Sequence, residues 1–380
     1  MEPDRVLNVA ILGLGRWGIH LLRNFLAHPH VQVVAIADPD IERLQAVAQE
    51  FGLSSRVICS ADWHVALAVQ ELDAVAIATP ASTHVTLIRA ALERKYHVLA
   101  EKPLSLKTAE AVALCRLAEQ QQRQLIVDHT YLFHPAVNRG QQVIQADSLG
   151  DLRYGYATRT HLGPVRADVD ALWDLVIHDL TIFNRWLAEI PCRVQAQGTV
   201  WLQPNSRGLD DEGMEALKST YPKTQVDPHV GQGLSDLVWV KLFYPSGFQA
   251  FIHLCWANAD KQRRLSVVGD RGTLIFDELA AHPLTLQTGQ LEYSAHASSP
   301  GWMPINVGQE ILEFEPLEPL WQVCDHFVNC ARYNRPSDIS SGWMGVQLVC
   351  VLEGLTRSLH NNGAIVQVGE YSHEAKSPRG

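Results

Sequence analysis

The sequence predicts an α/β protein in two parts: a doubly wound parallel sheet, then an α+β domain with a mostly antiparallel sheet. From residue 6 to about 130, apolar runs alternate with helical patterns, which is typical of parallel strands joined by right-handed crossovers. After about residue 150, strand-like runs follow one another with few helices between them. We therefore expect domains at residues 1–130 and 131–369 and a polar tail at 370–380.

The first part contains six apolar runs of the kind that form buried strands. They lie at residues 6–12, 31–37, 56–59, 73–78, 96–100 and 124–128. Helical patterns separate most of them, at Trp17–Ala27, Ile41–Phe51, His84–Lys95 and Thr108–Gln121. Ligands of doubly wound sheets bind at the carboxyl ends of the strands. We therefore expect one crevice formed by the loops Gly13–Gly18, Thr79–His84 and Glu101–Pro103.

The second part is predicted to be rich in strands. The strand-like runs are Asp151–Thr160, Arg193–Leu202, Leu234–Tyr244, Phe248–Trp256, Arg263–Val268 and Gly272–Phe276. Two short turns, Pro245–Gly247 and Asp270–Gly272, indicate hairpins. Long helices are expected near 172–188, 320–333 and 340–361. The polar stretch Gln203–Gln232, rich in glycine and proline, is interpreted as a long loop or lid, with a disordered insertion as the alternative.

Composition narrows the partners and the compartment. The formal net charge of −10 and the lack of a basic run argue against nucleic acid as the main partner. No apolar run has the length of a membrane span, and the amino terminus lacks the pattern of a signal peptide. The seven scattered cysteines predict buried, reduced thiols in a cytoplasmic protein. The sequence has no paired-cysteine or paired-histidine ligand motif, so no metal site is expected.

A glycine motif follows the first strand. Gly13, Gly15 and Gly18 stand between an apolar run and a helical pattern, and Asp38 lies 20 residues further on. In a dinucleotide-binding Rossmann fold such glycines allow a tight turn, backbone approach to a pyrophosphate, and close helix–strand packing. The residues inside the motif, Arg16 and Trp17, are therefore expected to lie at the cofactor.

Asp38 favours NAD over NADP, because a carboxylate there binds ribose hydroxyls and repels a 2′-phosphate. Two alternatives remain open. The motif can be a strand–turn–helix unit without a ligand, and Asp38 can be a helix cap or turn residue before Pro39.

Two further loops carry polar residues at the predicted crevice. Lys102 follows the fifth strand, where its ammonium would hydrogen-bond a substrate hydroxyl. Glu101 would pair with Lys102 or contact the nicotinamide ribose; the alternative is a solvated ion pair at a strand end. After the fourth strand, Thr79, Pro80 and His84 are predicted to contact the cofactor, although Thr83 can equally be only a helix N-cap.

A helical segment in the second part carries the remaining candidates. Asp174 and His178 are four residues apart and share one helix face, with Thr181 and Arg185 further along it. If this face looks into the crevice, His178 is the general base, since its unperturbed pKa is near 6.5, and Asp174 orients it or binds a substrate hydroxyl. The alternative is simple amphipathicity, with both facing water. Asp179 lies toward the apolar side and is expected to make a structural hydrogen bond.

These pieces in this order resemble the Gfo/Idh/MocA oxidoreductase family over nearly the whole chain. The motifs that carry the resemblance are Gly13–Gly18, Ala78–His84, Ala100–Pro103, Asp174 with His178, and Leu265–Leu274. The resemblance implies a Rossmann domain and an α+β domain whose mostly antiparallel sheet is open-faced. It also implies NAD(P)-dependent chemistry on a sugar or polyol hydroxyl, and catalytic roles for Lys102, Asp174 and His178.

Several stretches look similar to the branch of this family that acts on nucleotide-linked sugars. They are Trp173–Leu180, Ala259–Leu265 and Glu318–Phe327. Two departures are noted. Val176-Ile177 stands where the branch usually has Gly-Pro, and a valine would add bulk if it approached the nicotinamide. His134 stands where similar proteins often have Asn.

The sequence thus predicts a cytoplasmic enzyme that moves a hydride between nicotinamide and a hydroxyl-bearing carbon of a sugar, nucleotide-linked or not, or of a polyol. Alternatives are a cofactor-binding regulator or assembly protein with little turnover, and a reductase of a bilin-like substrate. Because an open sheet face is usually covered, we expect a homodimer or homotetramer joined through the second sheet.

Overall fold

The structure is a computed structural model that describes residues 6–203, 233–295 and 301–369. Its first sheet has six parallel strands in the order β3-β2-β1-β4-β5-β6. The strands are β1 (Leu7–Leu12), β2 (Val31–Ala37), β3 (Ile58–Ser60), β4 (Ala74–Ile77), β5 (His97–Glu101) and β6 (Leu125–Asp128). The predicted doubly wound sheet is confirmed. The predicted loop or lid lies outside the described residues except for Gln203, as does the polar tail.

Helices cover both faces of this sheet. They are α1 (Arg16–Ala27), α2 (Ile41–Glu50), α3 (Trp63–Leu67), α4 (Ala81–Glu93) and α5 (Thr108–Gln120). The prediction for α4 was wrong at its start, because the helix begins at Ala81 rather than His84, and Pro80 rather than Thr83 is the N-cap. The Pro80 carbonyl accepts hydrogen bonds from both the amide and the hydroxyl of Thr83, which places Thr83 inside the first turn.

The second sheet has nine strands in the order β14-β13-β12-β11-β7-β10-β9-β8-β15. All its strand pairs are antiparallel except β7 with β10, so the mostly antiparallel prediction is confirmed. Its strands are β7 (Leu152–Leu162), β8 (Arg193–Thr199), β9 (Leu237–Phe243), β10 (Gln249–Cys255), β11 (Ala257–Gly269), β12 (Gly272–Asp277), β13 (Leu284–Ser294), β14 (Gly301–Ile311) and β15 (Val366–Gln367). The sequence did not predict β13, β14 and β15, because they are short or lack a buried apolar face.

Four helices complete the described fold: α6 (Pro135–Gln145), α7 (Ala171–Leu187), α8 (Pro319–Tyr333) and α9 (Gly342–His360). A 3₁₀ turn at Thr130–Phe133 precedes α6. The sheet is open-faced, as predicted. Helix α7 packs on one face, where Phe183 meets Phe248 with ring centroids 6.5 Å apart. The opposite face leaves large aromatic side chains exposed, namely Tyr154, Tyr156, Trp239 and Phe251.

Helices α8 and α9 return to the first sheet. Phe327 of α8 packs edge-on against Phe25 of α1, with centroids 6.2 Å apart. Just before α9, the Ser340 carbonyl accepts a hydrogen bond from the amide of Val127 in β6. The chain therefore crosses between its two sheets more than once, and the division at residues 130/131 stays a prediction.

All seven cysteines lie in the described residues and are unpaired. The prediction that they are all buried was wrong for Cys59 and Cys192, which are exposed. Cys59 lies in β3 at the edge of its sheet, and Cys192 directly precedes β8. No helix in the described part of the chain is both long and apolar enough to cross a bilayer.

Candidate active site

The glycine motif forms the turn between β1 and α1, and its three glycines meet different surroundings. A Cβ at Gly13, where φ is +90°, would lie 2.5 Å from the Ala78 carbonyl oxygen. A Cβ at Gly18 would lie 1.9 Å from the Gly13 carbonyl oxygen. At Gly15, the N-cap of α1, a Cβ would meet no protein atom within 4 Å. The first and third glycines therefore maintain packing, and the second leaves open space where backbone N–H groups begin the helix.

This open space has the features that a dinucleotide requires. The first turn of α1 presents N–H groups and the positive end of the helix dipole, a favourable site for a pyrophosphate. The same turn contains the predicted contacts Arg16 and Trp17; the Trp17 side chain is exposed, and the Arg16 guanidinium lies 5.9 Å from the centre of its ring. The residues present thus fit a dinucleotide cofactor, and Asp38 directly follows the neighbouring strand β2.

Asp38 follows β2 and is only 4% exposed. Its Oδ2 accepts a hydrogen bond from the amide of Leu14 (2.7 Å), and its Oδ1 accepts from the amide of Asp40 (3.0 Å) and from Arg43 Nη1 (3.0 Å). The alternative that Asp38 is a turn residue therefore holds as well, whereas the N-cap of α2 is Asp40. A carboxylate oxygen accepts two hydrogen bonds, so Oδ2 retains a lone pair for a ribose hydroxyl.

His84 connects the two other loops of the crevice. Its side chain is fully buried, with Nδ1 2.7 Å from the Pro103 carbonyl oxygen and Nε2 3.0 Å from the Thr79 carbonyl oxygen. The Thr79 hydroxyl in turn lies 2.6 Å from the Thr83 hydroxyl. His84 thus holds the loop after β4 against the loop after β5. Contacts of Thr79, Pro80 and His84 with a cofactor stay predictions.

Lys102 joins the two halves of the site. The Lys102–Pro103 peptide bond is cis, and Lys102 Nζ donates to the backbone carbonyl of Asp174 (2.9 Å) and to its Oδ1 (3.4 Å). This contact connects the end of β5 with the first turn of α7. The structure therefore brings together two predicted residues that are 72 positions apart.

Asp174 has a second cationic neighbour that the sequence did not indicate. Arg166 Nη1 lies 3.3 Å from Asp174 Oδ1, while the same guanidinium pairs with Asp168. Burial favours the neutral acid, but Lys102 and Arg166 outweigh it and hold the pKa of Asp174 below its ordinary value. Asp174 is therefore ionised at neutral pH, and α7 presents it to the crevice rather than to open water.

His178 lies one turn beyond Asp174 on the same face of α7. Burial, followed by the positive charges of Lys102, Arg159 and Arg263, holds the pKa of His178 well below its ordinary value. Its ring also packs edge-on against Tyr131, with centroids 5.1 Å apart. A neutral imidazole has a free lone pair, so His178 can accept a proton.

A network behind His178 was largely missed from the sequence. Asp179 accepts two hydrogen bonds from Arg159, at 2.9 and 3.0 Å, and both side chains are buried; the predicted structural bond of Asp179 is confirmed. Arg159 also donates to the Tyr131 hydroxyl at 2.9 Å, and that hydroxyl donates to Glu278. Arg159, Tyr131 and Glu278 lie far apart in the chain, so no local sequence pattern could predict that they are in contact.

The other residues of the predicted helix stripe lie further along α7, toward its carboxyl end. Thr181 is buried and bonds to the Ile177 carbonyl of its own helix, and Arg185 has a buried Nε. Val176 and Ile177 are also buried in the core. The bulk of Val176 is therefore directed away from the crevice.

His134 has a structural task. It is the N-cap of α6, and its Nδ1 accepts a hydrogen bond from the amide of Ala136 at 3.1 Å. Asparagine is a favourable N-cap for the same reason, so either residue can perform this task.

The carboxyl ends of β5 and β6 contain buried acids next to Lys102. Burial, with the charge of Asp128 adding to it, raises the pKa of Glu101 to about 8. Burial likewise raises the pKa of Asp128 to about 6 and lowers that of His129 to about 3. No group of three or more His, Cys, Asp or Glu side chains in residues 6–203, 233–295 and 301–369 is arranged to hold a metal ion.

The whole arrangement can bind an oxygen atom and move a proton. An ammonium, an ionised carboxylate and a neutral imidazole meet at the carboxyl end of a parallel sheet, beside a glycine turn shaped for a pyrophosphate. Such a set suits hydride transfer to or from a hydroxyl-bearing carbon, for which a bound nicotinamide supplies the redox chemistry.

Two family profiles match the chain. Residues 7–129 match GFO_IDH_MocA, described as an oxidoreductase family with an NAD-binding Rossmann fold, and residues 137–275 match the GFO/IDH/MocA C-terminal domain.

Individual relatives include named enzymes. The chain is 33% identical to UDP-N-acetylglucosamine 3-dehydrogenase of Acidithiobacillus ferrooxidans over 50% of its own length and 58% of the relative's. It is 30% identical to dTDP-3,4-didehydro-2,6-dideoxy-alpha-D-glucose 3-reductase of Streptomyces violaceoruber, over 57% and 64% of the two lengths. The matches thus span less than two thirds of each relative.

A solved structure extends the likeness in fold to nearly the whole chain. The structure of UDP-N-acetylglucosamine 3-dehydrogenase from Acidithiobacillus ferrooxidans matches with a TM-score of 0.71 at 22% identity, covering 94% of this chain and 98% of that one.

Proposed function

The chain belongs to the Gfo/Idh/MocA oxidoreductase family, and we propose that it transfers a hydride between a nicotinamide cofactor and a hydroxyl-bearing carbon of a sugar or polyol. The contact between Lys102 Nζ and the backbone of Asp174 carries this proposal. It joins the carboxyl end of the parallel sheet to α7, the helix that bears His178 one turn beyond Asp174.

Each residue has a defined task in the proposed reaction. Lys102 Nζ donates a hydrogen bond to the substrate oxygen and stabilises the negative charge that develops there. The imidazole of His178 accepts the hydroxyl proton during oxidation and returns it during reduction. Asp174, ionised between two cations, keeps the Lys102 ammonium directed into the crevice. A nicotinamide bound beside these residues would supply the redox chemistry of the hydride transfer.

Substitution of the two central groups tests this proposal. Lys102→Ala and His178→Ala should each lower turnover by about 10²–10⁴-fold, because each loses a group that handles charge or a proton in the transition state. Turnover is followed by the absorbance of the reduced nicotinamide, with a panel of sugars, nucleotide-linked sugars and polyols.

Matched variants separate chemistry from general damage. Lys107→Ala and His64→Ala remove the same side-chain types at accessible positions outside the crevice and should stay close to the parent. Turnover within about twofold of the parent in both Lys102→Ala and His178→Ala would remove the support for these roles.

For the cofactor we propose NAD. Asp38 and Asp40 both lie where an adenosine ribose would bind, and Arg43 is already paired with each of them at 3.0 Å. A 2′-phosphate would meet two carboxylates and a neutralised arginine. We expect kcat/KM to favour NAD over NADP by at least about tenfold, or about 1.4 kcal/mol; equal values would contradict the proposal.

For the substrate we propose a nucleotide-linked hexose. The support is the pair of relatives named as acting on UDP-linked and dTDP-linked sugars. Within the substrate panel, a free sugar or polyol turned over faster than every nucleotide-linked sugar would redirect this assignment while leaving the hydride-transfer proposal intact.

The open face of the second sheet is proposed to join two or four copies of the chain. Trp239 and Phe251 are 55% and 42% exposed on neighbouring strands, and contiguous apolar patches of this kind usually mark interfaces. Light scattering should give a dimer or tetramer for the parent and smaller species for Phe251→Glu. A monomeric parent at micromolar concentration would refute this.

A cytoplasmic location is supported by the seven unpaired thiols.

A further inference from the structure

Two carboxyl groups lie side by side behind Lys102. Glu101 ends β5 and Asp128 ends β6, and the two are direct register partners in the parallel sheet. Their backbones are therefore about 5 Å apart and their side chains leave the sheet on the same face. Both are buried, at 9% and 1% exposed. Two acids in this position cannot both carry a charge without a large electrostatic cost.

Each acid uses only one of its oxygens within the described residues. Glu101 Oε2 accepts from the amide of Lys102 at 3.3 Å, and Asp128 Oδ1 accepts from the Thr130 hydroxyl at 2.7 Å. Glu101 Oε1 and Asp128 Oδ2 are buried and have no partner there. Buried polar atoms are rarely left in this state, so a hydrogen is needed between or beside them.

The neighbouring histidine offers no such hydrogen. His129 Nδ1 lies 2.8 Å from Ser340 Oγ, and Ser340 Oγ donates its own hydrogen to the Val127 carbonyl at 2.6 Å. The hydrogen of the first bond must then come from His129 Nδ1, which leaves Nε2 as an acceptor. That Nε2 is also buried and unpartnered. The cluster therefore has three acceptor atoms, and a proton on one carboxyl group would turn one of them into a donor.

The charges that face this cluster do not replace the missing proton. Lys102 and Arg166 are the cations that act on Glu101, and Lys102 acts on Asp128. Yet Lys102 Nζ donates to Asp174, and Arg166 pairs with Asp168 and Asp174. From α8 the Cys324 thiol faces the same acids, and burial together with their charges holds its pKa well above its ordinary value. It is thus a neutral neighbour.

We propose that Glu101 and Asp128 hold one proton between them at neutral pH and act as positioning residues for Lys102. With a single negative charge behind it, the Lys102 ammonium stays directed at Asp174 and the crevice; a doubly charged pair would attract it back toward the sheet. The raised pKa values of both acids support the same assignment. The shared proton stands independently, whereas its effect on Lys102 rests on the proposed function.

Infrared spectroscopy of the full chain without cofactor tests the shared proton directly. At about pH 7 the parent should show the carbonyl band of a protonated, buried carboxyl group, and this band should disappear as the pH rises through about 8. Glu101→Gln should lack the band. Asp128→Asn should lose it at lower pH than the parent, because Glu101 then has no charged neighbour to raise its pKa. Glu93→Gln, an exposed position on α4, is the matched control and should behave as the parent does.

Unfolding by urea gives a second measurement. A folded-state pKa raised above the unfolded value adds stability at low pH that is lost as the pH rises through the folded pKa. The urea midpoint of the parent should therefore fall as the pH rises from about 4.5, the ordinary pKa of this carboxyl group, to about 8, and that of Glu101→Gln should fall less. Absence of the infrared band in the parent at neutral pH, or the same fall over this pH range in both proteins, would overturn the proposal.

The pH profile of kcat/KM tests the effect on Lys102. In the parent, ionisation of the pair should produce an alkaline break near pH 8, and in Glu101→Gln this break should move or vanish, since a glutamine cannot ionise. If the infrared results are as expected but Glu101→Gln keeps the alkaline break of the parent in kcat/KM, the positioning role is refuted and the shared proton stands. If no substrate of the proposed class is turned over, the infrared and urea results still decide whether the proton is shared.

Discussion

Polar groups at the two ends of the parallel sheet differ in how fully they are hydrogen-bonded. At the amino end, the buried His97 accepts through Nδ1 from the amide of Gln124 at 3.1 Å, and the half-buried Asp73 accepts from the amide of Asn8 at 2.9 Å. At the carboxyl end, Glu101, Asp128 and His129 each keep a buried atom without a partner in the described part of the chain. All of these side chains belong to or directly flank strands of one sheet, so the difference is not one of fold or of local sequence.

This contrast distinguishes polar groups that stabilise the fold from polar groups that remain available for chemistry. A satisfied polar group lowers the free energy of the folded chain and is closed to a ligand. An unsatisfied one costs stability, about 1–3 kcal/mol for a buried group, and is available to a proton, a cofactor or a substrate. Buried groups at the amino end should therefore matter for stability, and those at the carboxyl end for chemistry.

The largest expected effect comes from a satisfied pair close to the crevice. Arg159→Leu leaves Asp179 buried without its two hydrogen bonds, and loss of one partner of a buried ion pair costs about 3–5 kcal/mol. The free energy of unfolding in urea measures it. Arg153→Leu, an exposed position on the same strand β7, should change stability by less than about 0.5 kcal/mol. Equal, small losses in both variants would contradict the stabilising role given to the hydrogen-bonded Arg159–Asp179 pair.

The next largest effect is a loss of stability at low pH that we attribute to His97, at the amino end of β5. Burial, with Arg123 adding to it, lowers the pKa of His97 to about 4. The unfolded chain therefore takes up a proton between about pH 6.5 and pH 4 that folded His97 does not. Stability attributable to His97 is present above pH 6.5 and falls as the pH drops to about 4, by about 3 kcal/mol.

His97→Asn tests this difference, because the Asn carbonyl can accept the Gln124 amide bond and does not titrate. The acid-dependent loss of unfolding free energy should be smaller in this variant than in the parent. His64→Asn, at an exposed histidine of α3, is the control. Parallel pH curves for the parent and His97→Asn would contradict the role given to the amino end.

A smaller effect separates packed from open positions within the glycine turn. Gly18→Ala places a Cβ 1.9 Å from a backbone oxygen and should cost about 1–3 kcal/mol or more, as overpacking does. Gly15→Ala meets no protein atom within 4 Å and should cost less than about 1 kcal/mol through its N-cap position. Both should weaken NADH binding, measured by fluorescence titration. Strong binding with Gly15→Ala would show that the open space is not the cofactor site.

The six strands of the first sheet were predictable because each is a short apolar run followed by a turn. Burial on both faces demands that pattern, except in the edge strand β3, whose residues are exposed or half-buried. The second sheet was predictable only where one face is buried. Strands β13 and β14 have mostly half-buried or exposed residues, so their sequence carries little periodic signal. The start of α4 was misplaced because the Pro80 carbonyl, rather than a side chain, receives the first hydrogen bonds.

Within the site, local motifs were sufficient to place Gly13, Gly15, Gly18 and Lys102 at the carboxyl ends of strands, since each follows a recognisable strand. The face shared by Asp174 and His178 was also readable from spacing. Arg166 and Arg159 were not, because a charged residue in a loop or an alternating strand looks the same whether it meets solvent or a buried acid.

The sequence by itself determined the order of the six parallel strands, the glycine turn and the family, because these depend on periodicity and on residues close together in the chain. Only the tertiary structure decided which charges meet. It directed Lys102 to Asp174, enclosed His178 among cations, and put Glu101 beside Asp128 with no donor between them. Electrostatic energies depend on distance and burial in three dimensions, and a linear sequence specifies neither until the chain has folded.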